Sequence, residues 1–305
     1  MIFENKHFLL FPHKGLDGDC LGSSRALQLV IENAGGSSDI MSNEDPNDTK
    51  WKDLNIVTRN KLPPIYHACI LVDCDSPDRT AFPVPDKAPV LIIDHHEETG
   101  SYGDLKIVDS SAASTGIIVE EIRKELQLPA SKEYAEAILT TIVSDTGGFR
   151  HDNTDKRALF IASTMVSLGA SLKQILDREL NNCSIEEIKV FQAFIPKIKF
   201  FDNGLAGLVI KYSDIKDISK GKTTHPAEFQ KFVATYGDYK VMYILSEQEN
   251  GDVKGSLRSK DLEKMDAVAS VFGGGGHKKA AGFLVPKGNI EEIENKLKKE
   301  INKYL

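Results

Sequence analysis

Carboxylates and imidazoles follow three short apolar runs in the first third of this sequence. The groups are His13, Asp17 and Asp19 after residues 8–11, Asp73 and Asp75 after residues 68–72, and Asp94, His95 and His96 after residues 90–93. Short apolar runs bounded by polar residues are typical of buried parallel strands, whose carboxyl ends open onto one shared crevice. Carboxylate oxygens and imidazole nitrogens that meet there would bind divalent metal ions, and we expect two of them. The sequence therefore predicts a metal-dependent enzyme.

The second and third groups carry the sharper local signals. A carboxylate that ends a buried strand, such as Asp73, must be paired, solvated or bound to a metal. We expect Asp75 to cap the following turn or to support the site indirectly. Adjacent histidines on an extended segment point in opposite directions, so one of His95 and His96 would bind metal while the other faces the substrate. Asp94 would accept a hydrogen bond from an imidazole and fix its tautomer.

Glycines surround the first group, and one more carboxylate comes later in the chain. Gly15, Gly18 and Gly22 would give a ligand-bearing loop the backbone freedom it needs. Asp145 ends a helical run and is followed by a loop with two glycines. As a further ligand, Asp145 would complete a site in which the protein supplies most of the ligands to both metals.

A glycine-rich run at residues 273–276 predicts an anion-binding segment. Exposed backbone N–H groups can approach an anion closely, and the following His277 and Lys278 would add positive charge. The run is not a Walker A loop, because no Ser or Thr follows a G-x4-G-K spacing. Nearby, Arg258 and Ser259 offer a guanidinium that can clamp a phosphate, although a surface ion pair is the alternative role for Arg258.

An α/β fold would position these groups. Apolar runs alternate with helical patterns in the first half, which predicts a parallel-rich sheet flanked by helices. Later runs predict a smaller α/β domain, with a cleft between the two domains. The predicted boundaries are 1–185 for the first domain, 186–200 for a linker and 201–305 for the second domain. Predicted strands cover residues 8–11, 68–72, 90–93, 205–210, 240–245 and 254–257, and predicted helices cover residues 21–32, 114–126, 132–142, 155–168, 265–272 and 290–304.

Composition and charge exclude several classes of protein. A chain of 305 residues with 41% hydrophobic residues can build ordinary globular domains. Its net charge of −7 argues against an electrostatic grip on long duplex nucleic acid. No apolar run approaches the ~20 residues of a membrane span. The four cysteines form no CxxC pair, which favours a reducing cytoplasm.

Taken together, six motifs resemble the DHH phosphoesterase superfamily with its C-terminal DHH-associated domain. In chain order they are HKGLDGDCLGSS (13–24), LVDCDSPDR (71–79), IIDHH (92–96), SDTGGF (144–149), GSLRS (255–259) and GGGGHKKAAGF (273–283). The chain is most similar to the branch of nanoRNA-degrading oligoribonucleases and pAp phosphatases, and it also resembles phosphodiesterases that cleave pApA. The resemblance implies hydrolysis of short RNA oligonucleotides or dinucleotides to mononucleotides, phosphatase activity on pAp at the same site, and a homodimer.

The resemblance also implies roles for individual residues. One metal, usually Mn²⁺ in the family, would be held by His13, Asp17 and Asp73. A second would be held by Asp19, Asp73, His95 and Asp145, with Asp73 bridging. His96 would face the scissile phosphate, and Asp73 and Asp94 would complete the catalytic residues. The far nucleotide or its terminal phosphate would be bound by Arg258, Ser259, Gly275, Gly276 and His277. Residues 221–237 match no motif that would grip a base.

Three alternatives remain open on sequence alone. A family II inorganic pyrophosphatase shares the first-half motifs, but its second domain is not of the GGGGH type. A RecJ-like single-strand exonuclease shares the chemistry, but such enzymes are usually longer and need a basic, aromatic track for an extended strand. A nucleotide sensor with a non-catalytic site is the alternative outside enzymes. The sequence also leaves open which of pApA, pGpG, nanoRNA and pAp is preferred.

Overall fold

The protein divides into two compact units, Met1–Asn182 and Cys183–Leu305. Its structure, a computed structural model, describes residues 3–46, 51–97, 100–180, 185–214, 229, 233 and 238–305. Each unit has its own six-stranded sheet and its own hydrophobic core. The predicted α/β class, with a parallel sheet first and a smaller sheet domain second, is confirmed. The predicted linker region contains a helix, α6 (Ile185–Phe194).

The sheet of the first unit is parallel throughout. Its strands are β1 (His7–Pro12), β2 (Ser37–Met41), β3 (Thr58–Arg59), β4 (Ala68–Val72), β5 (Val90–Asp94) and β6 (Leu105–Val108). They lie in the order β3-β2-β1-β4-β5-β6. The chain moves outward through β2 and β3 and then returns to the other side of β1, so the strand order reverses between β1 and β4. Loops that follow strands at such a switch point diverge and leave a ligand-binding crevice.

Helices pack on one face of this sheet in the part of the unit that the structure describes. The helices are α1 (Gly18–Asn33), α2 (Thr115–Glu125), α3 (Lys132–Asp145), α4 (Lys156–Ser167) and α5 (Leu172–Leu180). Leu10 and Ile70 point into the core that contains α1, α2 and α3, whereas Leu9 and Leu71 pack against loop residues such as Phe82. Because both faces are buried, the central strands read as continuous apolar runs.

Two of the glycines around the first motif have a different role from the one expected. Gly18 and Gly22 lie inside α1, not in a loop. A Cβ at Gly18 would lie 2.6 Å from the Trp51 ring, and one at Gly22 would lie 2.7 Å from the Ala137 carbonyl oxygen. Close packing of α1 against its neighbours therefore requires these two glycines. Gly15, with φ of +73°, does need the backbone freedom of glycine.

The second unit has a mixed sheet. Its strands are β7 (Lys199–Phe200), β8 (Leu205–Ile210), β9 (Val241–Glu247), β10 (Val253–Ser259), β11 (Gly275–His277) and β12 (Ala280–Val285), in the order β11-β12-β10-β9-β8-β7. One face packs against α7 (Met265–Ser270) and α8 (Ile290–Ile301), through Leu257 and Phe283. On the other face, Phe194 of α6 covers Leu208 and its neighbours on β8 and β9.

Within the described ranges, no single helix is both long enough and apolar enough to cross a membrane. Only the pair Lys156–Ser167 and Leu172–Glu179 meets the length and composition criteria, and the two helices are bent by 119° relative to each other.

Candidate functional site

The predicted ligands of the first unit lie at the carboxyl edge of its sheet. His13 follows β1, Asp73 follows β4, and His95 and His96 follow β5. The start of α1 brings Asp17 and Asp19 to the same edge, and Asp145 is the last residue of α3. The structure brings these side chains together in two clusters that share Asp73.

The first cluster forms around His13. Its Nε2 lies 3.4 Å from Asp17 Oδ2 and 3.5 Å from Asp73 Oδ2. Its Nδ1 lies 2.8 Å from the Lys14 carbonyl oxygen. Since a carbonyl oxygen only accepts, Nδ1 carries a proton, and Nε2 is the nitrogen available to a metal. Burial lowers the pKa of His13, but hydrogen bonds with Asp17 and Asp73 outweigh burial and raise this pKa strongly.

Asp17 also caps α1, with the help of a cysteine that sequence reasoning missed. Oδ1 of Asp17 accepts hydrogen bonds from the backbone N–H groups of Asp19 and Cys20, at 3.1 and 3.0 Å. The buried Cys20 sulfur accepts the N–H of Asp17 at 3.3 Å, and Cys20 lies close enough to His13 and Asp17 to share an ion with them. Burial raises the pKa of the Cys20 thiol, so it stays protonated in the absence of metal. Its place inside the HKGLDGDCLGSS motif was the only available signal.

The second cluster forms around His95. Its Nε2 lies 3.1 Å from Asp145 Oδ2 and 3.6 Å from both Asp19 Oδ2 and Asp73 Oδ1. Its Nδ1 donates to the Ala112 carbonyl oxygen at 3.1 Å. Nε2 is buried and makes no hydrogen bond with any described residue. Ligand atoms about 2.1 Å from one octahedral ion lie about 3.0 Å apart, so this spacing suits a shared ion.

Asp73 joins the clusters by turning a different oxygen to each. Oδ2 faces His13, whereas Oδ1 faces His95 and lies 3.6 Å from Nδ1 of His96. The residue is 2% exposed, and its backbone has φ of +63°. A left-handed backbone at a residue other than glycine costs roughly 1–3 kcal/mol, which the rest of the fold must offset.

The start of α2 holds two of the carboxylates in place, a contribution that sequence reasoning also missed. The Thr115 hydroxyl donates to Asp73 Oδ1 at 2.9 Å, and its N–H donates to Asp19 Oδ2 at 2.8 Å. Asp19 Oδ1 accepts from the Ser23 hydroxyl at 2.8 Å and from the Gly116 N–H at 3.3 Å. No local motif marked Thr115, because two of the three donors at the start of α2 are backbone N–H groups.

His96 is held by Asp94. Its Nδ1 lies 2.7 Å from Asp94 Oδ1, which also accepts the His96 N–H at 3.1 Å. The hydrogen bond that His96 donates to Asp94 raises the pKa of His96. The expectation that the two histidines point in opposite directions is wrong, because β5 ends at Asp94 and the two rings lie 4.5 Å apart. They nevertheless differ in their partners, as expected.

The two clusters contain more negatively charged groups than positively charged ones. Among the described residues, the four carboxylates of Asp17, Asp19, Asp73 and Asp145 form ion pairs with imidazoles and with no Lys or Arg. Two like charges 4 Å apart repel by about 4 kcal/mol at an effective dielectric constant of 20. Burial, with repulsion from Asp73 and Asp145, raises the pKa of Asp19, and burial raises the pKa of Asp145. Carboxylate oxygens and imidazoles with this excess of negative charge fit divalent cations.

Asp75 does not cap the next turn as expected. The cap of the short helix Pro77–Arg79 is Ser76, whose hydroxyl accepts the Asp78 N–H. One Asp75 oxygen lies 3.6 Å from Arg79 Nη1 instead.

In the second unit, the predicted substrate-binding residues share an exposed part of the sheet. Arg258 on β10 is paired with Ala280 on β12, which is paired with His277 on β11, so all three point to the same face. The small side chain of Ala280 lies between those of Arg258 and His277. Arg258 forms no ion pair with any described residue. The alternative role of Arg258, as a partner in a surface ion pair, is therefore not supported within the described ranges.

The second half of the glycine-rich run lies in a strand. Gly275 and Gly276 lie in β11, at the edge of the sheet, and both are exposed. Gly276 has φ of +141°, and a Cβ there would lie 2.7 Å from the Ala280 carbonyl oxygen. The Ser259 hydroxyl accepts the Leu262 N–H at 2.7 Å. Residues 221–237 lie outside the described part of the chain, apart from 229 and 233.

Comparisons with known proteins match both units. Residues 7–142 match the DHH family, N-terminal domain, and residues 210–303 match the DHHA1 domain. A curated relative from Thermus thermophilus, named bifunctional oligoribonuclease and PAP phosphatase NrnA, is 26% identical over 96% of this chain and 88% of its own length.

Solved structures support the fold. An exopolyphosphatase-related protein from Bacteroides fragilis superposes with a TM-score of 0.83 at 20% identity, covering 98% of this chain and 92% of its own. RecJ from Thermus thermophilus, in complex with Mn²⁺, superposes with a TM-score of 0.53 at 12% identity. That match covers 99% of this chain but 53% of RecJ, so RecJ has large parts that this chain lacks.

Proposed function

This chain is a DHH family protein with a C-terminal DHHA1 domain, and we propose that it is a metal-dependent phosphodiesterase that hydrolyses short oligoribonucleotides and dinucleotides to mononucleotides. One observation carries the proposal: Nε2 atoms of His13 and His95 face four carboxylates, while backbone carbonyls hold both Nδ1 atoms. The name of the Thermus relative supports the substrate class and adds phosphatase activity on pAp, which we place at the same site of this chain as part of the proposal.

We propose that the clusters hold two divalent ions, most suitably Mn²⁺. His13, Asp17 and Asp73 would hold one ion, and Asp19, Asp73, His95 and Asp145 the other. Mixed carboxylate and imidazole ligands suit Mn²⁺ better than thiolate-seeking metals. When bound, such ions polarise phosphate oxygens and lower the pKa of water towards neutrality. The protein's part is to fix the ligands, which the carbonyls of Lys14 and Ala112 and the donors at the start of α2 do.

His96 is the side chain that would act on the substrate itself. Asp94 accepts the Nδ1–H of His96 and raises its pKa, which favours the imidazolium, with a second proton on Nε2. The imidazolium can donate a hydrogen bond from Nε2–H to a phosphate oxygen, or transfer that proton to the leaving oxygen. Asp94 keeps the ring oriented and favours its charged form.

The exposed face of the second unit would bind the anionic part of the substrate. Arg258 offers a planar fork of donors that matches a phosphate, and His277 lies on the same face beyond Ala280. Ser259, Gly275 and Gly276 would add a hydroxyl and exposed backbone N–H groups. We assign catalysis to residues 1–185 and substrate binding to 201–305, joined by 186–200.

Further expectations concern partners and location. Short RNA oligonucleotides, dinucleotides and pAp suit these two sites, whereas the net charge of −7 does not favour long duplexes. We propose a cytoplasmic homodimer. Light scattering of the purified protein would measure the oligomeric state.

An end-labelled panel tests the function. RNAs of two to seven nucleotides, pApA, pGpG and pAp are incubated with the protein in Mn²⁺, in Mg²⁺ and in chelator. We expect mononucleotide products from the shortest substrates in Mn²⁺, none in chelator, and none with Asp73→Asn. Preferred, processive shortening of long single strands would favour the RecJ-like alternative. Tight binding of a dinucleotide without hydrolysis in excess Mn²⁺ would show a nucleotide sensor.

A further inference from the structure

Thr115 connects two carboxylates that come from different parts of the fold. It is the first residue of α2, it is fully buried, and it donates to Asp73 through its hydroxyl and to Asp19 through its backbone N–H. Its own position is fixed, because a Cβ at the next residue, Gly116, would lie 2.0 Å from the Thr141 hydroxyl. The start of α2 is therefore packed closely against α3.

The Thr115 hydroxyl sets the rotation of the Asp73 carboxylate group, which the backbone of Asp73 does not fix. The Asp73 N–H donates to the Ile93 carbonyl oxygen at 2.9 Å, which anchors its main chain to β5. Rotation of the carboxylate group about its own axis is not set by that bond. The hydrogen bond from Thr115 to Oδ1 sets it, and so leaves Oδ2 towards His13 and Oδ1 towards His95.

We propose that Thr115 is a positioning residue that orients the Asp73 carboxylate, so that each cluster receives one oxygen from it. The proposal rests on the proposed function, because it gives Asp73 a place in both metal sites. Thr115 itself touches neither substrate nor metal. Loss of a group that orients a metal ligand typically weakens metal binding about 10- to 100-fold.

Two substitutions separate the hydroxyl from the rest of the residue. Thr115→Val keeps the volume and the backbone N–H to Asp19 but removes the donor to Asp73. Thr115→Ser restores a hydroxyl. Thr140→Val is the matched control, because Thr140 is equally buried and its hydroxyl, which donates to the Glu136 carbonyl oxygen and accepts from Arg178 Nη2, bonds to no residue of either cluster.

The experiment measures Mn²⁺ binding by isothermal titration calorimetry, together with pApA hydrolysis. We expect Thr115→Val to weaken at least one Mn²⁺ site about 10- to 100-fold and to lower kcat with little change in KM. Thr115→Ser should recover most of both, and Thr140→Val should behave like the wild type. Circular dichroism checks folding, and if the valine variant does not fold, Thr115→Ala against Thr115→Ser gives the same comparison.

The outcomes separate this inference from the proposed function. Wild-type Mn²⁺ affinity and kcat in Thr115→Val would overturn the positioning role and leave the proposed function standing. Equal losses in Thr115→Ser and Thr115→Val would also overturn it, because the hydroxyl would then not matter. If the wild-type protein binds no Mn²⁺ and cleaves no dinucleotide, the proposed function fails and this inference fails with it.

Discussion

Metal binding should stabilise the first unit by an amount that reports the number of ions. A site filled at 100 times its Kd adds about 2.7 kcal/mol to the free energy of unfolding, so two independent sites add about 5 kcal/mol. For a unit of this size, each kcal/mol raises Tm by about 2–4 °C, which predicts a shift of about 10–20 °C between chelator and saturating Mn²⁺. Differential scanning calorimetry measures that shift directly.

Two substitutions should reduce the Mn²⁺-induced rise in Tm by different amounts, because their side chains face different numbers of clusters. Among the described residues, the Asp145 carboxylate forms an ion pair with His95 and not with His13, so Asp145→Asn should remove one site and leave about half of the shift. Asp73 faces both clusters, so Asp73→Asn should leave less than Asp145→Asn does. His277→Ala, in the second unit, is the control and should keep the full shift.

The reasoning has a clear point of failure. If Asp145→Asn and Asp73→Asn lose the same fraction of the shift, Asp73 does not serve two sites. If Asp145→Asn keeps the full wild-type shift, the His95 cluster binds no ion.

Three further predictions concern catalysis, substrate binding and pH. Asp94→Asn should lower the pKa of His96, so the activity that needs its imidazolium should fall at a lower pH in the variant than in the wild type. An unchanged kcat–pH profile would contradict this. Arg258→Ala should raise KM for pApA by about 10-fold or more but leave KM for a small chromogenic phosphodiester unchanged. Lys254→Ala, on the same face, should leave both KM values unchanged. Equal losses on both substrates in Arg258→Ala would speak against phosphate binding by Arg258. Burial lowers the pKa of His95, but Asp145 and its neighbours raise it to about 10. Mn²⁺ must therefore displace a proton and should bind more weakly as the pH falls. Calorimetry in buffers of different ionisation enthalpy should show this proton release.

The central strands of the first sheet could be predicted from sequence because burial on both faces makes them uniformly apolar. β1, β4 and β5 lie within a residue or two of the predicted runs. β2 was missed for a physical reason. Its first half carries Ser37 and Asp39, which contact His7 across the sheet through hydrogen bonds of 2.8 and 3.2 Å, so a polar cluster replaces the apolar signal. β6, at the sheet edge, exposes Leu105 and has no run of buried residues.

The candidate site divides in the same way. Residues whose side chains have metal-binding chemistry could be named from sequence, because strand ends concentrate them at one edge. Thr115 and Gly116 could not, since they act through backbone N–H groups and a single hydroxyl whose direction depends on the packing of α2 on α3. Gly275 shows a further limit: its glycine-rich setting gave no strand signal, but pairing with Gly282 makes it a strand residue.

Several features of this site are unfavourable when each is considered by itself. Asp73 has a left-handed backbone, Asp145 lies at the carboxyl end of α3, where the helix dipole disfavours negative charge, and Asp19 is fully buried beside other carboxylates. The buried Nε2 of His95 has no hydrogen bond with any described residue. A single substitution could relieve any one of them, such as glycine at position 73 or lysine at position 145. Positive charge placed between the two imidazoles would compensate for the burial and repulsion of the carboxylates of Asp19, Asp73 and Asp145, which surround His95 Nε2. Local rules that fail together at one place indicate function there, and the function indicated here is cation binding.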